Sequence, residues 1–264
     1  MALLIIDALN IIRRIHEAVP GPESGAKVAD TLTSSLASFR RALKTHTPTH
    51  AVAVFDQGGR TWKHDLYAPY QAHRKPMPQP LREALPTLRQ GLQNLGLHSI
   101  AIEGIEADDA MATLAEKWCQ AHPQRVIMVS TDKDFLQLLN DQICIFDHFK
   151  GRWRDEAYVL DKFGVKPSQM GDLLALMGDA VDGIPGVPMV GRKTAAGLLR
   201  IHGHLDRVIS NADKVPGQVG AHLRQGIEIL RLSRALVAFK TDVPLGLTWR
   251  MISLPQALNT HEKG

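Results

Sequence analysis

The residues best suited to chemistry are carboxylates that gather where apolar segments end or helical ones begin. In Met128-Val-Ser-Thr-Asp-Lys-Asp134 the apolar run Val126 to Val129 leads directly to Asp132 and Asp134. That is the pattern of a buried parallel strand delivering two acids at its C-terminal tip. Glu106, Asp108 and Asp109 crowd the first turn of a helical run over 107–121. Leu3-Leu-Ile-Ile-Asp7 and Ala51-Val-Ala-Val-Phe-Asp56 repeat the strand-then-acid theme. Open parallel sheets place their sites at the carboxyl ends of the strands. Three acidic strand tips and one acidic helix start therefore predict a single pocket whose natural occupant is a divalent metal. Oxygen donors suit Mg²⁺ or Mn²⁺, and no Cys/His set argues for structural zinc.

The elements that must position these acids follow from periodicity. A strand over 1–7 is followed by Asn10 and a connection that Arg13 and Arg14 begin. Residues 18–26 read as an exposed Gly/Pro/Ser loop. An amphipathic helix is predicted over 27–44, then a strand over 51–55. Further helices are predicted over 81–95 and 107–121, a short one over 135–139, and another over 155–163. Strands are predicted over 97–102, 126–131 and 143–146. This alternation predicts an α/β domain with a mostly parallel central sheet flanked by helices, spanning 1–164.

Residues 60–90 look least like core. Arg60, Lys63, Arg74, Lys75, Arg82 and Arg89 outnumber Asp65 and Glu83, and Trp62, Tyr67 and Tyr70 are interleaved with them. Cations with aromatic platforms suit single-stranded nucleic acid. A solvated loop whose aromatics tuck against the core has the same pattern. From about Val165 the strands stop and a basic helical module begins, with helices predicted over 167–177 and 193–201. Between Val187 and Lys240 there are nine Arg or Lys against three acids. Within it, Gly186-Val-Pro-Met-Val-Gly191 precedes Lys193 and Thr194 at a helix start, where backbone N–H groups can meet a phosphate. Asp179 and Asp182, at the mouth of the same turn, are placed to reach back to the acidic pocket. Residues 245–254 are expected to form a small strand or an irregular cover, with a frayed tail after Ala257 within the segment 241–264.

The bulk properties agree with that reading. The chain has 264 residues, a formal charge of +4 and two cysteines, Cys119 and Cys144, too few for a disulfide framework. The first ten residues already form a strand bearing Asp7, so no signal peptide is expected, and no stretch reaches the roughly 18 apolar residues of a membrane span. A cytoplasmic, monomeric protein that meets no membrane is expected. An acidic cluster inside a net basic chain suits an anionic substrate brought to bound metal.

These motifs, in order, resemble the flap endonucleases, the bacterial and phage 5′-3′ exonucleases that also form the nuclease domain of DNA polymerase I. The resemblance rests on Asp7, Asp56, Glu106-Ala-Asp-Asp109, Ser130-Thr-Asp-Lys-Asp134, Gly178-Asp-Ala-Val-Asp-Gly-Ile-Pro-Gly186 and Gly191-Arg-Lys-Thr-Ala195, running from residue 1 to about 240. It implies a PIN-like catalytic domain with a helical arch at 60–90 and a helix-hairpin-helix DNA-binding subdomain at 165–240. Asp7, Asp56, Glu106 and Asp108 would hold a first Mg²⁺ or Mn²⁺, and Asp132, Asp134 and Asp182 a second, with Asp109 and Asp179 as close or outer members. Backbone carbonyls of Leu176, Met177, Pro185, Val187 and Val190 would hold K⁺. Tyr70, Gln71, Arg74, Lys75, Met189, Val190, Gly191, Arg192, Lys193 and Thr194 would meet DNA carrying a 5′ flap or a single-strand/double-strand junction, with Arg74 also at the scissile phosphate. One departure stands out. The family's Tyr-Lys-x-x-Arg is here Tyr70-Gln-Ala-His-Arg74, so an uncharged Gln71 replaces the lysine. Two rivals remain: a DNA-binding member of the fold with weak or no catalysis, and a PIN-type ribonuclease, against which the basic helical module argues.

Overall fold

In the computed structural model, which describes residues 2–255, six strands form one sheet. They are β1 (Leu3–Asp7), β2 (His50–Val54), β3 (His98–Ile100), β4 (Val126–Val129), β5 (Ile143–Asp147) and β6 (Arg152–Trp153), in the order β3-β2-β1-β4-β5-β6. All pairs are parallel except β5–β6. Every residue of β1 is buried, as a central strand covered on both faces requires. Its two neighbours are β2, in register Asp7 with Val54, and β4, in register Ile6 with Val129. That pairing brings the tips bearing Asp7, Asp56 and Asp132 side by side.

Helices cover both faces. α1 (Ala8–Ala18), α2 (Gly25–His46) and α4 (Gln79–Asn94) enclose one core with Leu4, Ile6 and Phe39. α5 (Ala107–Ala121) closes the other through Met111, Leu114 and Trp118. The short α3 (Trp62–Leu66) sits between β2 and α4. Residues 8–18, expected as a connection, are instead α1. Asp7 caps it by accepting from the Asn10 amide at 3.1 Å, and Ile11 and Ile12 bury its inner face. Pro80 falls in the first turn of α4, where its missing N–H costs nothing, while Pro86 lies within the helix.

The C-terminal half is helical. After α6 (Glu156–Phe163), α7 (Met170–Met177), α8 (Arg192–His202), α9 (Leu205–Ser210), α10 (Gly217–Gln225) and α11 (Ile227–Val237) share a core around Leu173, Leu176, Leu199 and Leu230. The chain then returns to the core on the α5 side of the sheet. Phe239, Leu245, Leu247 and Trp249 pack against α5 and the sheet. The Lys240 amide donates to Asp109 Oδ1 at 2.9 Å, and Thr113 Oγ1 donates to the Lys240 carbonyl at 3.2 Å. Over 245–254 the irregular cover materialises as a 3₁₀ turn, Trp249–Ile252, with a single antiparallel bridge from Ser253 to His50. The expected frayed tail lies outside the described residues. No helix among them is long and apolar enough to cross a membrane.

Candidate metal centre

The acids arrive from five places. Asp7 ends β1, Asp56 lies just past β2, Glu106 and Asp108 open α5, Asp132 and Asp134 follow β4, and Asp179 and Asp182 sit in the turn after α7. Asp7, Asp56, Glu106, Asp108, Asp132 and Asp182 line one cavity of about 190 Å³. Beside it, Asp134, Asp179 and Asp182 bring one carboxylate oxygen each to within 4.8 Å of one another.

Local hydrogen bonds hold this loop system. Ser130 Oγ donates to Asp7 Oδ2 at 2.9 Å and accepts from the Asp132 amide at 3.0 Å. Asp132 Oδ1 accepts from the Asp134 amide at 3.0 Å, a turn in which the side chain imitates the backbone. Asn10 Oδ1 accepts from both the amide and the hydroxyl of Thr131, tying the β1 and β4 tips. Arg14 donates to the same hydroxyl at 2.9 Å.

Electrostatic crowding is severe. Burial pushes the Asp7 carboxyl up to about 6, even though the Asn10 amide and Ser130 hydroxyl pull the other way. Burial, with Asp132 next in weight, carries Asp134 to about 8. Asp108 is raised well above the ordinary aspartate value by burial and then by Asp132 and Asp7, and Asp182 is raised by burial and by Asp179. Carboxyls packed this way favour the proton, or a bound cation in its place. The donor set fits a hard cation: all its side-chain ligands are oxygens, and the buried Asp134 Oδ1 has no hydrogen-bond partner among the described residues.

Not every expected acid is free for a metal. Asp109 is fully buried and faces away from the cavity. Its Oδ2 accepts from Trp62 Nε1 at 2.6 Å and its Oδ1 from the Lys240 amide, so it locks α5 to its cover. Helical rotation of about 100° per residue separates it from Asp108. Glu106 does line the cavity, but Thr61 Oγ1 donates to its Oε1 at 3.0 Å, and Lys63 Nζ lies 3.1 Å from its Oε2. Asp179 is engaged by Lys133, whose ammonium donates to its Oδ2 and lies 3.8 Å from Asp134 Oδ1. These acids outweigh the burial of that ammonium and raise its pKa.

Of the two readings of residues 60–90, the tucked one holds for the aromatics. Tyr70 is 4% exposed and donates its hydroxyl to Glu106 Oε2 at 3.3 Å, so it presents no open face to a base. Lys63, counted among the surface cations, is 3% exposed. Burial lowers its pKa, but Glu106, Asp108 and Asp109 more than compensate. Trp62 is bonded to Asp109, and Lys240 Nζ lies 4.8 Å from the centre of its ring. Arg74 and Lys75, by contrast, are exposed.

Gln71 has a placement that spacing alone does not reveal. At φ 52 it turns into the left-handed region, and its Nε2 donates to Asp182 Oδ1 at 3.0 Å and to the Tyr70 hydroxyl at 3.1 Å. Its amide donates to the Asp182 carbonyl, and Arg74 donates to its Oε1. Residues 69–71 are thus clasped to the turn bearing Asp182. Gly183 makes the approach possible, since a Cβ there would lie 2.9 Å from the Pro69 carbonyl oxygen. Thr61, Lys63 and Lys133 also went unforeseen. The one signal for Lys133 is its position between Asp132 and Asp134.

The turn from Gly178 to Gly191 is tightly built. A Cβ on Gly186 would lie 2.3 Å from the Gly178 amide nitrogen, so only glycine fits. Among the proposed carbonyl donors, Leu176 accepts from the Val187 amide at 2.9 Å and Val187 from the Val190 amide at 3.0 Å. Met177 is half-buried and Pro185 exposed. Met189, at φ 65, is exposed, as are Gly191, Arg192 and Lys193, while Thr194 is half-buried and Val190 is buried in the module core. Gly191 precedes α8 with no side chain capping its first amides.

Residues 2–164 match the profile of the 5′-3′ exonuclease N-terminal resolvase-like domain, and 165–260 that of the 5′-3′ exonuclease C-terminal SAM fold. The chain belongs to the 5′-3′ exonuclease family. Among curated members, flap endonuclease Xni of Vibrio campbellii is 41% identical over 246 residues, covering 92% of this chain and 93% of that protein. Flap endonuclease Xni of Shewanella loihica is likewise 41% identical over 92% of this chain and 93% of its own length. In fold, T5 5′-exonuclease with bound zinc superposes with a TM-score of 0.79 at 22% identity, over 91% of this chain and 90% of that one. The T5 flap endonuclease in a pseudo-enzyme–product complex with DNA and metal ions gives 0.74 at 21% identity, over 91% and 90%. The α/β sheet with a helical C-terminal module is therefore the exonuclease-family fold, and the acidic cluster fits the divalent-metal dependence of a nuclease.

Proposed function

We propose that the protein is a structure-specific 5′ nuclease. It hydrolyses DNA phosphodiesters near single-strand/double-strand junctions, as a flap endonuclease with accompanying 5′-3′ exonuclease action. The observation that carries this reading is the convergence of strand-tip acids and Asp182 on one cavity, in a chain whose basic helix starts ten residues after Asp182. Asp7, Asp56, Glu106 and Asp108 would hold one Mg²⁺ or Mn²⁺, and Asp132, Asp134 and Asp182 the other, with Asp179 beside the second as an outer member. Ions there would activate a water and neutralise charge building on the phosphoryl oxygens. K⁺ would lie on the carbonyls of Leu176, Met177, Pro185, Val187 and Val190, and the working unit is a monomer.

The chain's own residues supply binding and orientation. The uncapped start of α8, with Arg192 and Lys193 exposed, grips a duplex phosphate without reading sequence. Arg74 lines the carboxylate cavity with Asp7, so its guanidinium would stand beside the scissile phosphate although the family lysine is absent. Gln71 fixes Asp182 and orients Arg74. Ser130 and Asn10 hold the Asp7 and Asp132 loops in one arrangement before substrate arrives.

The test is cleavage of a labelled 5′-flap oligonucleotide with Mg²⁺ or Mn²⁺, with Asp132→Asn as control. Metal-dependent product near the junction, absent in the variant, is expected. Structure-selective binding with no product from either protein would leave a DNA-binding member of the fold and end the catalytic reading.

A further inference from the structure

Against the carboxylate cavity lies a second one of about 330 Å³, a size that holds small ligands. The two share Leu9, Arg13, Asp56, Gln71, Arg74 and Glu106 in their walls. Their electrostatics are opposite. The second cavity gathers Arg13, Arg74, Lys75 and Arg82. Its acids are already engaged: Glu106 by Lys63, and Asp56 Oδ1 by the Gly58 amide at 2.9 Å.

Some guanidinium groups elsewhere find carboxylates. Arg60 lies 2.6 Å from Asp65, Arg154 2.9 Å from Asp147, Arg231 2.6 Å from Glu228 and Arg234 2.7 Å from Asp206. Among the described residues, the four cations of this cavity have no carboxylate within 4 Å. Arg74 donates only to the neutral Gln71, and Arg82 makes a long contact of 3.5 Å to the Met77 carbonyl. Arg13 Nε is buried without a partner. Burial and the nearby Arg74 lower its pKa, with Arg82 adding to them, and Asp56 and Glu17 offset only part of this. Like charges gathered around a hollow and left unpaired make a site for an anion, and guanidinium forks match phosphate oxygens in pairs.

We infer that this cavity binds a phosphate of the 5′ strand, and specifically the terminal 5′-phosphate monoester of a nicked or recessed end. A monoester carries about −1.5 to −2 at neutral pH and an internal diester only one charge. Four unpaired cations therefore favour the terminal group. The inference rests on the nuclease reading for its substrate, but its test does not require cleavage. A bound terminal phosphate would set the register of the strand at the carboxylate cavity, and a 5′-hydroxyl end would lack that anchor.

The experiment measures binding of 3′-labelled DNA tetranucleotides, 5′-phosphorylated or 5′-hydroxyl, to the full chain at pH 7 in EDTA by fluorescence anisotropy. Wild type, Arg13→Gln, Arg82→Gln and Arg82→Lys are compared, with circular dichroism confirming the fold of each. The expected result is a preference of about tenfold or more for the phosphorylated strand, the worth of one charge-assisted hydrogen bond. Either glutamine variant should lose most of it, and Arg82→Lys should keep part. Equal binding of both strands, even if weakened in both glutamine variants, would assign the cavity to an internal phosphodiester and overturn the terminal-phosphate inference. Wild-type binding unchanged in both variants, or no wild-type binding at all, would overturn it. Absence of flap cleavage with the phosphate preference intact would remove the nuclease reading and leave this one standing.

Discussion

Replacing Asp134 by asparagine should make the metal-free protein more stable, although it removes a side chain from the site. Within 4.8 Å, each of Asp179 and Asp182 repels an ionised Asp134 by ~3.5 kcal/mol or more at an effective dielectric of about 20, and Asp132 adds to them. Lys133, at 3.8 Å, returns ~4.4 kcal/mol and leaves a net cost of about 3 kcal/mol or more. The rise of Asp134 from 3.8 to about 8, which burial leads, sets a ceiling of about 6 kcal/mol on burial and repulsion together. Because the folded pKa is raised, stability is complete below the ordinary aspartate value and is lost as pH climbs towards 8. The amide variant avoids this loss. In EDTA at pH 9 its unfolding temperature should exceed that of wild type by ~6–12 °C, the shift that about 3 kcal/mol produces in a chain of this size. At pH 4.5 the gap should fall to ~1 kcal/mol or less. Millimolar Mg²⁺ should then reverse the order, stabilising wild type more than the variant. Thermal unfolding followed by circular dichroism reads all three conditions. A variant less stable than wild type at pH 9 in EDTA, or a gap indifferent to pH, would refute the argument that these carboxylates repel one another in the folded state.

Lys133→Gln removes the tethered cation from Asp134 and Asp179, so calorimetric titration with Mn²⁺ should show at least fivefold tighter binding and the metal-free form should melt lower. Weaker binding would mean that Lys133 organises the acids rather than competing for them. Gln71→Ala deletes the donor to Asp182 and should lower stability by ~1 kcal/mol while raising the Mn²⁺ concentration needed for half-maximal cleavage. An unchanged metal requirement would show that Asp182 is held without it. Gly186→Ala drives a Cβ to 2.3 Å from the Gly178 nitrogen and should cost ~3 kcal/mol or more in denaturant unfolding. A loss below about 1 kcal/mol would mean that the turn yields cheaply.

The strand tips were legible because a fully buried strand that ends in an acid leaves few readings, and Asp7, Asp56 and Asp132 meet as expected. The helix over 107–121 has the expected bounds. What could not be read was orientation within an element or contact between distant ones. Asp108 and Asp109 are adjacent in sequence, and only the docking of residues 239–243 on α5 decides that Asp109 serves the cover rather than the cavity. Lys63 looks like a surface cation in a basic stretch until Glu106, 43 residues later, is seen to bury it. α1 was missed because its apolar pairs are short and flanked by arginines, so its amphipathic face shows only once the sheet is in place. Gln71 could be noticed as a departure from a pattern, but its clasp on Asp182 spans 111 residues and no local rule reaches that far.

The return of residues 239–243 to α5 bears on the order in which the chain can mature. A polypeptide emerging from the ribosome exposes Asp7, Asp56, Asp108 and Asp132 first, and those acids belong to the sheet half alone. Asp179 and Asp182 come with the helical half, and the partner that pins Asp109, the Lys240 amide, comes after every helix is made. An unfinished chain therefore holds an acidic sheet edge without the turn that completes its cavity or the clasp that seals the first turn of α5. The acidic centre is therefore completed only after the helical half and residues 239–243 have followed the sheet half.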